Sequence, residues 1–434
     1  MYKVLVMLGV LVCAPIVFAE PQTGCWFHRV DAPDVATPSD LKSVVLNQYF
    51  RIYYSPSDPM FADAVGNAIP ELIQKQSAVF EKSRYLIERE LGWKLPVSRS
   101  EAGQSELDVY FIQSGRRFGG TVRQQPALAI VMNRRALLSP DFAALWIHQL
   151  AHAVELQYRL SGDYWFFEAT AGWFEGQFQG YSQAAVKAQQ MRLAHPEISL
   201  ADGDIVQALG ASRFLDIVAR SNRDVLRQTW DQWSYAHDLR ADEVLGSVLA
   251  LNHMPDLESY LQNYFLLSTS ARTLNADSHD VTLAPFSAAV FEGVPAQNSG
   301  GIRLTFVPEG EDHYATALVF YVQGETSGTL ALKRGLSGPS SLLLPYAGMD
   351  HFRFLIVNAQ ASWLNGQVTT AYDAEIPGVL EYFRVNNEDG GVQIEWKTSR
   401  EDGVAFWNLY RVEGGKKELL NDFPIPATVQ SREG

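Results

Sequence analysis

The chain is poor in cysteine and has no basic run, and each shortage excludes a class of protein. Its 434 residues include two cysteines, Cys13 and Cys25. Cys13 lies in a segment that we expect to be removed, which leaves Cys25 without an intramolecular partner and excludes a disulfide-stapled fold. The formal net charge is −14 at pH 7. An acidic chain without a basic run does not attract a phosphate backbone, so we predict no nucleic-acid partner.

Long apolar runs are scarce as well, and the one candidate lies at the N-terminus. Lys3 is followed by an apolar run from Val4 to Val17, which is short for a membrane span. Ala19 then supplies the small residue that a signal peptidase requires before Glu20. We predict a signal peptide over residues 1–19, a secreted or periplasmic mature protein, and no transmembrane segment after cleavage. An uncleaved anchor helix is the alternative.

Apolar material is plentiful: 47% of the residues are hydrophobic and 12% are aromatic. That is enough for packed cores, and a chain of this length usually forms two or three domains. Residues 20–275 mix alternating strands with amphipathic helices. The predicted strands are 48–54, 107–112 and 127–132, and the predicted helices are 61–91, 164–177, 214–230 and 241–266. A further helix has a clear start at Ser139 and Pro140 and is expected to reach about Leu160, before Gly162.

The pattern changes after residue 275. Short strands separated by turn residues predict an all-β sandwich over residues 276–376. Pro377 marks a linker, and residues 377–434 resemble the start of a fibronectin type III domain with Trp396 as its core tryptophan. A complete module needs about 90–100 residues, so we expect only part of one. The turn at Asn387–Gly391 predicts a hairpin rather than a calcium loop.

His148 and His152 are the residues that suggest chemistry. Four positions apart on a helix, the two imidazoles share one face and can converge on one metal ion. Zinc favours such ligands, and its catalytic sites usually have three from the protein. Glu168 opens the next helix and is the natural third ligand. Glu175 lies on the same face and could accept a hydrogen bond from an imidazole N–H. Alternatively, the histidines only satisfy hydrogen bonds in a metal-free core.

With these residues in place, the segment from about 48 to 266 resembles bacterial secreted metalloproteases of the gluzincin type, the Myxococcus-type family. The matching motifs are Tyr49-Phe-Arg-Ile-Tyr-Tyr54, Leu91-Gly92 with Pro96, Asp108-Val-Tyr110, His148-Gln-Leu-Ala-His-Ala153 with Gln157, and Trp165-Phe-Phe-Glu168 with Ala171, Trp173 and Glu175. The resemblance implies an α+β fold, with a zincin-like domain over residues 20–275 followed by the sandwich and the partial module. It also implies a Zn²⁺ cofactor held by His148, His152 and Glu168, and a peptide or protein substrate or ligand.

The chain departs from that family at one position. Gln149 stands where the family has the glutamate that accepts a proton from the attacking water. An amide cannot accept and return a proton at neutral pH, and general acid–base work contributes about 10²–10⁴-fold to a rate. Glu155 shares the face of His148 and is the candidate replacement base, unless it is a solvated or supporting carboxylate. We therefore expect a monomeric, secreted, zinc metallopeptidase-like protein with impaired catalysis. The alternatives are a peptide- or surface-binding pseudoenzyme and an active peptidase that uses another base.

Overall fold

The computed structural model shows helices together with several sheets, which confirms the α+β class at that level. It describes residues 40–46, 49–64, 69–96, 106–113, 120–123, 128–274, 278–294, 301–309, 315–323, 326–336, 340–345, 351–373, 379–388, 391–400, 406–407, 409–413, 416–420 and 425–426. The predicted signal peptide and both cysteines lie outside these residues. The chain divides into two compact units, and the predicted domain boundaries remain predictions.

The first unit is built from the described residues up to Glu90, Lys94–Val154 and Phe178–Ala184. Its five strands are β1 (Lys42–Leu46), β2 (Phe50–Tyr54), β3 (Leu107–Ile112), β4 (Gly120–Arg123) and β5 (Ala129–Asn133). They lie in the order β1-β2-β3-β5-β4. The three inner strands are parallel to one another, whereas β1 and β4 pair antiparallel at the two edges. The three strands predicted for this region are confirmed to within two residues at each end.

The helical segments of the first unit are shorter than the sequence pattern predicts. They are a 3₁₀ turn (Pro59–Ala64), α1 (Glu71–Lys75), α2 (Ser77–Tyr85), a π turn (Leu86–Glu90), a second 3₁₀ turn (Arg134–Leu138) and α3 (Phe142–Glu155). The prediction of one helix over 61–91 is wrong because Pro70, which has no N–H to donate, stands at the start of α1. Gly92, with φ of +66°, ends the segment as expected.

Packing of α3 on the sheet fixes the element that carries the histidine pair. The inward-facing residues of β2 are buried in alternation, and the ring of Phe50 lies 5.2 Å from the ring of Trp146 on α3. Phe80 of α2 packs on the same indole at 4.5 Å. The buried indole Nε1 of Trp146 donates to Ser83 Oγ at 2.8 Å. Helix α3 is therefore held by both apolar packing and a buried hydrogen bond.

The second unit begins with helices. They are α4 (Tyr164–Phe178), α5 (Gln183–Leu193), α6 (Ile205–Gly210), α7 (Ser212–Ala219), α8 (Asp224–Trp233), α9 (Ala241–Leu251) and α10 (Leu257–Phe265). The predicted helix at 164–177 is confirmed, whereas those at 214–230 and 241–266 are each two helices. The Asn222 side chain accepts a hydrogen bond from the N–H of Asp224 at the start of α8. Pro255 and the left-handed His253 (φ 54°) separate α9 from α10.

The rest of the second unit is built of strands. They are β6 (Arg272–Thr273), β7 (Ser278–Leu283), β8 (Ser287–Gly293), β9 (Gly301–Pro308), β10 (Ala315–Gln323), β11 (Thr326–Leu336), β12 (Ser340–Pro345), β13 (His351–Asn358) and β14 (Leu364–Asp373). One sheet has the order β11-β10-β13-β8-β6 and the other β12-β9-β14-β7. Phe291 and Phe354 of the first sheet share one buried cluster with Phe306 and Val368 of the second. The two sheets thus form a sandwich.

Short strand pairs make up the described C-terminal part. The strands are β15 (Val379–Glu388), β16 (Gly391–Arg400), β17 (Phe406–Trp407), β18 (Tyr410–Glu413), β19 (Lys416–Leu419) and β20 (Ile425–Pro426). The predicted hairpin is confirmed, since Glu388 pairs with Gly391. Trp396, the expected core tryptophan, is half-buried on β16. A fibronectin type III identity for this segment remains a prediction.

Candidate metal centre

The helix that carries the histidine pair starts where the sequence predicts and ends earlier. Ser139 Oγ accepts a hydrogen bond of 3.1 Å from the N–H of Asp141, which satisfies one of the donors that a helix N-terminus leaves without partners. Helix α3 was expected to reach Leu160 but ends at Glu155. The chain then turns, and the Arg159 side chain donates to the carbonyl of Trp233 at the end of α8 and to two carbonyls just beyond it. Both histidines still lie well inside the helix.

The two imidazoles face each other inside the protein. Nε2 of His148 lies 3.1 Å from Nε2 of His152, and the rings meet edge to face with centroids 4.8 Å apart. Both side chains are buried. Burial lowers the pKa of His152 well below its ordinary 6.5, and the neighbouring His148 lowers it further. His152 is therefore neutral at physiological pH, the state in which an imidazole binds a metal.

Glu168 lies on the following helix and is fully buried. The phenol of Tyr164, one turn earlier on α4, donates a hydrogen bond of 3.0 Å to Glu168 Oε1. Helix α4 begins directly after Asp163. Two residues beyond Glu168, the hydroxyl of Thr170 accepts a hydrogen bond of 3.2 Å from Trp230 Nε1. These contacts fix both the helix and the orientation of its carboxylate.

His148, His152 and Glu168 form a group that could hold a metal ion. Each offers one ligand atom, and these atoms all lie within 4.8 Å of one another. The predicted ligand set is thus brought together by the fold. Among the described residues, neither Glu155 nor Glu175 joins this group of ligand atoms.

The remaining predicted site residues are buried on the same two helices. Gln149 is 1% exposed and follows His148 directly, so a buried amide lies next to the first of the two histidines. Glu155 is 0% exposed, which excludes a solvated surface carboxylate. Glu175, 2% exposed, lies two turns beyond Glu168 on α4. Both carboxylates therefore lie inside the fold and are not surface charges.

Sequence reasoning missed two residues of this region. Tyr164 was read only as the start of a helix, although its spacing of four from Glu168 is the signal for a contact on one helix face. Arg159 gave no signal at all, because three of its four acceptors lie 74 to 78 positions further along the chain. In the described part of the chain, no helix is both long and apolar enough to cross a bilayer.

Comparison with known proteins identifies no family. No model of a known protein family matches the chain, and no curated protein matches it. Solved structures similar to part of the chain include the pre-peptidase C-terminal domain of a Bacillus anthracis collagenase. It has 8% identity over 24% of this chain and 95% of its own, at a TM-score of 0.21. The Yersinia pseudotuberculosis-derived mitogen has 15% identity over 27% and 92%, with a TM-score of 0.18. PliG of Aeromonas hydrophila, a periplasmic inhibitor of g-type lysozyme, has 12% identity over 24% and 96%, with a TM-score of 0.17. At these scores the likenesses carry no argument about fold or function.

Proposed function

We propose that this protein is a secreted, zinc-binding metallopeptidase-like protein whose hydrolytic activity is impaired by Gln149. The observation that carries the proposal is the buried group of His148, His152 and Glu168. Its three residue types, and their spacing along two successive helices, are those that the gluzincin resemblance implies. The zincin identity of the domain is part of the proposal.

Zinc fits this group better than a harder cation does. Zinc is bound by imidazole nitrogen and carboxylate oxygen at about 2.0–2.2 Å, so two tetrahedral nitrogen ligands lie about 3.3 Å apart. The Nε2 atoms of His148 and His152 are 3.1 Å apart. Calcium and magnesium prefer shells of oxygen ligands, which a pair of imidazoles does not supply. When bound, zinc would act as a Lewis acid towards a peptide carbonyl.

Gln149 limits what the site can do. Its side chain is buried beside His148 and offers one carbonyl acceptor and one amide donor group. It can orient a bound group by hydrogen bonding, but it cannot take a proton from water and pass it to a leaving amine. Loss of that function costs about 10²–10⁴-fold in rate. We therefore propose that the site binds metal and ligand well and hydrolyses peptide bonds poorly.

A peptide or protein is the ligand class that we propose. Strand β4 lies at the end of the first unit's sheet, and among the described strands it pairs only with β5. An edge of this kind can accept an extended peptide through main-chain hydrogen bonds. The acidic balance of the chain argues against nucleic acid. We also propose export, which N-terminal sequencing of the processed protein checks by finding Glu20 as the first residue.

Elemental analysis of the purified protein tests the proposal. We expect about one zinc per chain, with the metal lost in His148→Ala and in His152→Ala because each removes one of three ligands. His195→Ala is the matched control, since its imidazole is on the surface. Wild-type protein should cleave a broad peptide library weakly or not at all while still binding some of its members. A zinc-replete preparation without zinc would exclude the proposed function.

An active peptidase that uses Glu155 is the second candidate. The observation that favours it is complete burial of this carboxylate three positions beyond His152 on α3. A carboxylate is a group that can accept a proton from water and pass it on, which an amide cannot do. Efficient cleavage by the wild type, abolished in Glu155→Gln with zinc content unchanged, would establish this candidate instead.

A further inference from the structure

The connection between the two ligand-bearing helices, residues 156–163, is fixed by one arginine. Arg159 Nη1 donates to the carbonyl oxygen of Trp233 at 2.7 Å and to that of Ala236 at 3.1 Å. Its Nη2 donates to His237 O at 2.8 Å, and its Nε donates to Ser161 O at 2.7 Å. All four acceptors are main-chain carbonyls. A planar guanidinium can reach several such acceptors at once from one fixed orientation.

The same connection is held at its far end as well. The guanidinium of Arg159 lies 4.4 Å from the centre of the Trp233 ring. A Cβ added to Gly162 would lie 2.6 Å from two carbons of that ring, so the backbone approaches the indole as closely as glycine allows. Asp163 Oδ2 accepts a hydrogen bond of 2.6 Å from the N–H of Ala241 at the start of α9. The indole itself is anchored, because Trp233 Nε1 donates to Leu239 O at 2.9 Å.

These contacts join the α3–α4 connection to the loop between α8 and α9, residues 234–240. Tyr164 follows Asp163 directly and begins α4, which carries Glu168 one turn later. The position of the connection therefore determines where α4 starts and where the Glu168 carboxylate lies. Metal sites are sensitive to such placement, because ligand distances must hold within about 0.2 Å.

We propose that Arg159 is a positioning residue of the metal group, acting through the α8–α9 loop to place Glu168 beside the histidine pair. It touches neither metal nor substrate in this role. The inference rests on the proposed function, since it requires that the three residues hold zinc. It adds that affinity for the metal is set in part by a loop more than 60 positions beyond Glu168 in the sequence.

Three variants of the full chain test this role. Arg159→Ala removes the four hydrogen bonds. Gly162→Ala keeps the arginine but crowds its contact with the Trp233 ring, because the added Cβ would lie 2.6 Å from two ring carbons and 3.0 Å from Arg159 Nε. Arg213→Ala is the matched control: this half-buried arginine pairs with Asp216 at 2.8 Å on α7. The zinc dissociation constant is measured by competition with a chelator. The absorption spectrum of the cobalt(II)-loaded protein reports ligand geometry, and circular dichroism reports folding.

We expect zinc affinity to fall about 10–100-fold in Arg159→Ala and in Gly162→Ala, the range seen when groups that orient metal ligands are removed. The cobalt spectrum should change in both, and the control should match wild type. If either variant is folded and binds zinc as tightly as wild type, with an unchanged cobalt spectrum, the inference is overturned although the proposed function stands. If one variant does not fold, the other decides. Wild-type protein that binds no zinc would instead refute the proposed function.

Discussion

Tyr164 donates a hydrogen bond of 3.0 Å to Oε1 of Glu168, one turn further along α4. Groups behind a metal ligand orient it, and their loss weakens metal binding. Tyr164 is half-buried and Glu168 fully buried, so the hydrogen bond orients a carboxylate inside the protein. The pair gives the proposed ligand set its most directly testable contact.

Tyr164→Phe should weaken zinc binding about 10-fold, the low end of the range for such groups, and leave the helix content unchanged. The substitution deletes one hydroxyl and keeps the ring. Chelator competition measures the change. Tyr235→Phe is the control: it removes a phenol hydroxyl from a residue that is 85% exposed, and this variant should bind zinc like wild type. Equal affinities for both variants would show that the hydroxyl does not orient the carboxylate.

The ligand group was predictable because its members are close in sequence. His148 and His152 are separated by one helical turn, and Glu168 lies in the first turns of the next helix, so the spacing and a short connection indicate that the three can meet. Tyr164 obeys the same rule and was within reach. Arg159 was not, because three of its partners are carbonyl groups 74 to 78 positions away, and a carbonyl carries no residue signature.

Strands were predicted more accurately than helix lengths. The alternation of apolar and polar residues within a segment is enough to predict a strand such as Leu107–Ile112, and the observed β3 has these bounds. Long helical periodicity over 61–91 and 241–266 hid breaks at Pro70 and Pro255, since a helical pattern can continue across a proline while the helix does not. The core of the sandwich could not be predicted from local pattern, because strands far apart in the sequence build it: β8 packs with β9 and β13 around Phe291.

The stability of the zinc-free protein should decrease as the pH falls below about 6.5. The folded state lowers the pKa of His152, so the unfolded chain binds a proton there that the folded chain excludes. This contribution to the free energy of unfolding is fully present above the ordinary pKa of 6.5 and is lost as the pH falls towards the folded value. For one proton, the free energy of unfolding cannot change by more than about 1.4 kcal/mol per pH unit.

Urea unfolding of the zinc-free protein between about pH 5 and pH 7.5 measures this dependence. His152→Gln should unfold with a flatter pH profile, whereas His195→Ala, altered on the surface, should keep the wild-type profile. Identical profiles for wild type and His152→Gln would mean that His152 takes up its proton in the folded state as easily as in the unfolded one.

Ser83→Ala should destabilise the protein by about 1–3 kcal/mol, because it leaves the buried indole N–H of Trp146 without its acceptor. The loss should appear as a lower midpoint of urea unfolding with an unchanged slope. Ser247→Ala is the control: its hydroxyl bonds the Glu243 carbonyl on the surface of α9, and its removal should change stability by no more than about 0.5 kcal/mol. Equal effects would contradict a structural role for the buried bond.

Gln149→Glu decides between an impaired enzyme and a binding protein. The new carboxylate would follow His148 on α3, where the wild-type amide is buried, and could take the proton that an amide cannot. With zinc bound, peptidase activity should rise on the order of 10²-fold or more over wild type, which is the low end of what a general base supplies. Gln157→Glu, the same change at an exposed position just beyond α3, should have no effect. Zinc content must stay equal across the three proteins. A variant that binds zinc and remains inert on a broad peptide library would show that more than the base has been lost, and ligand binding would then be the better account of the site.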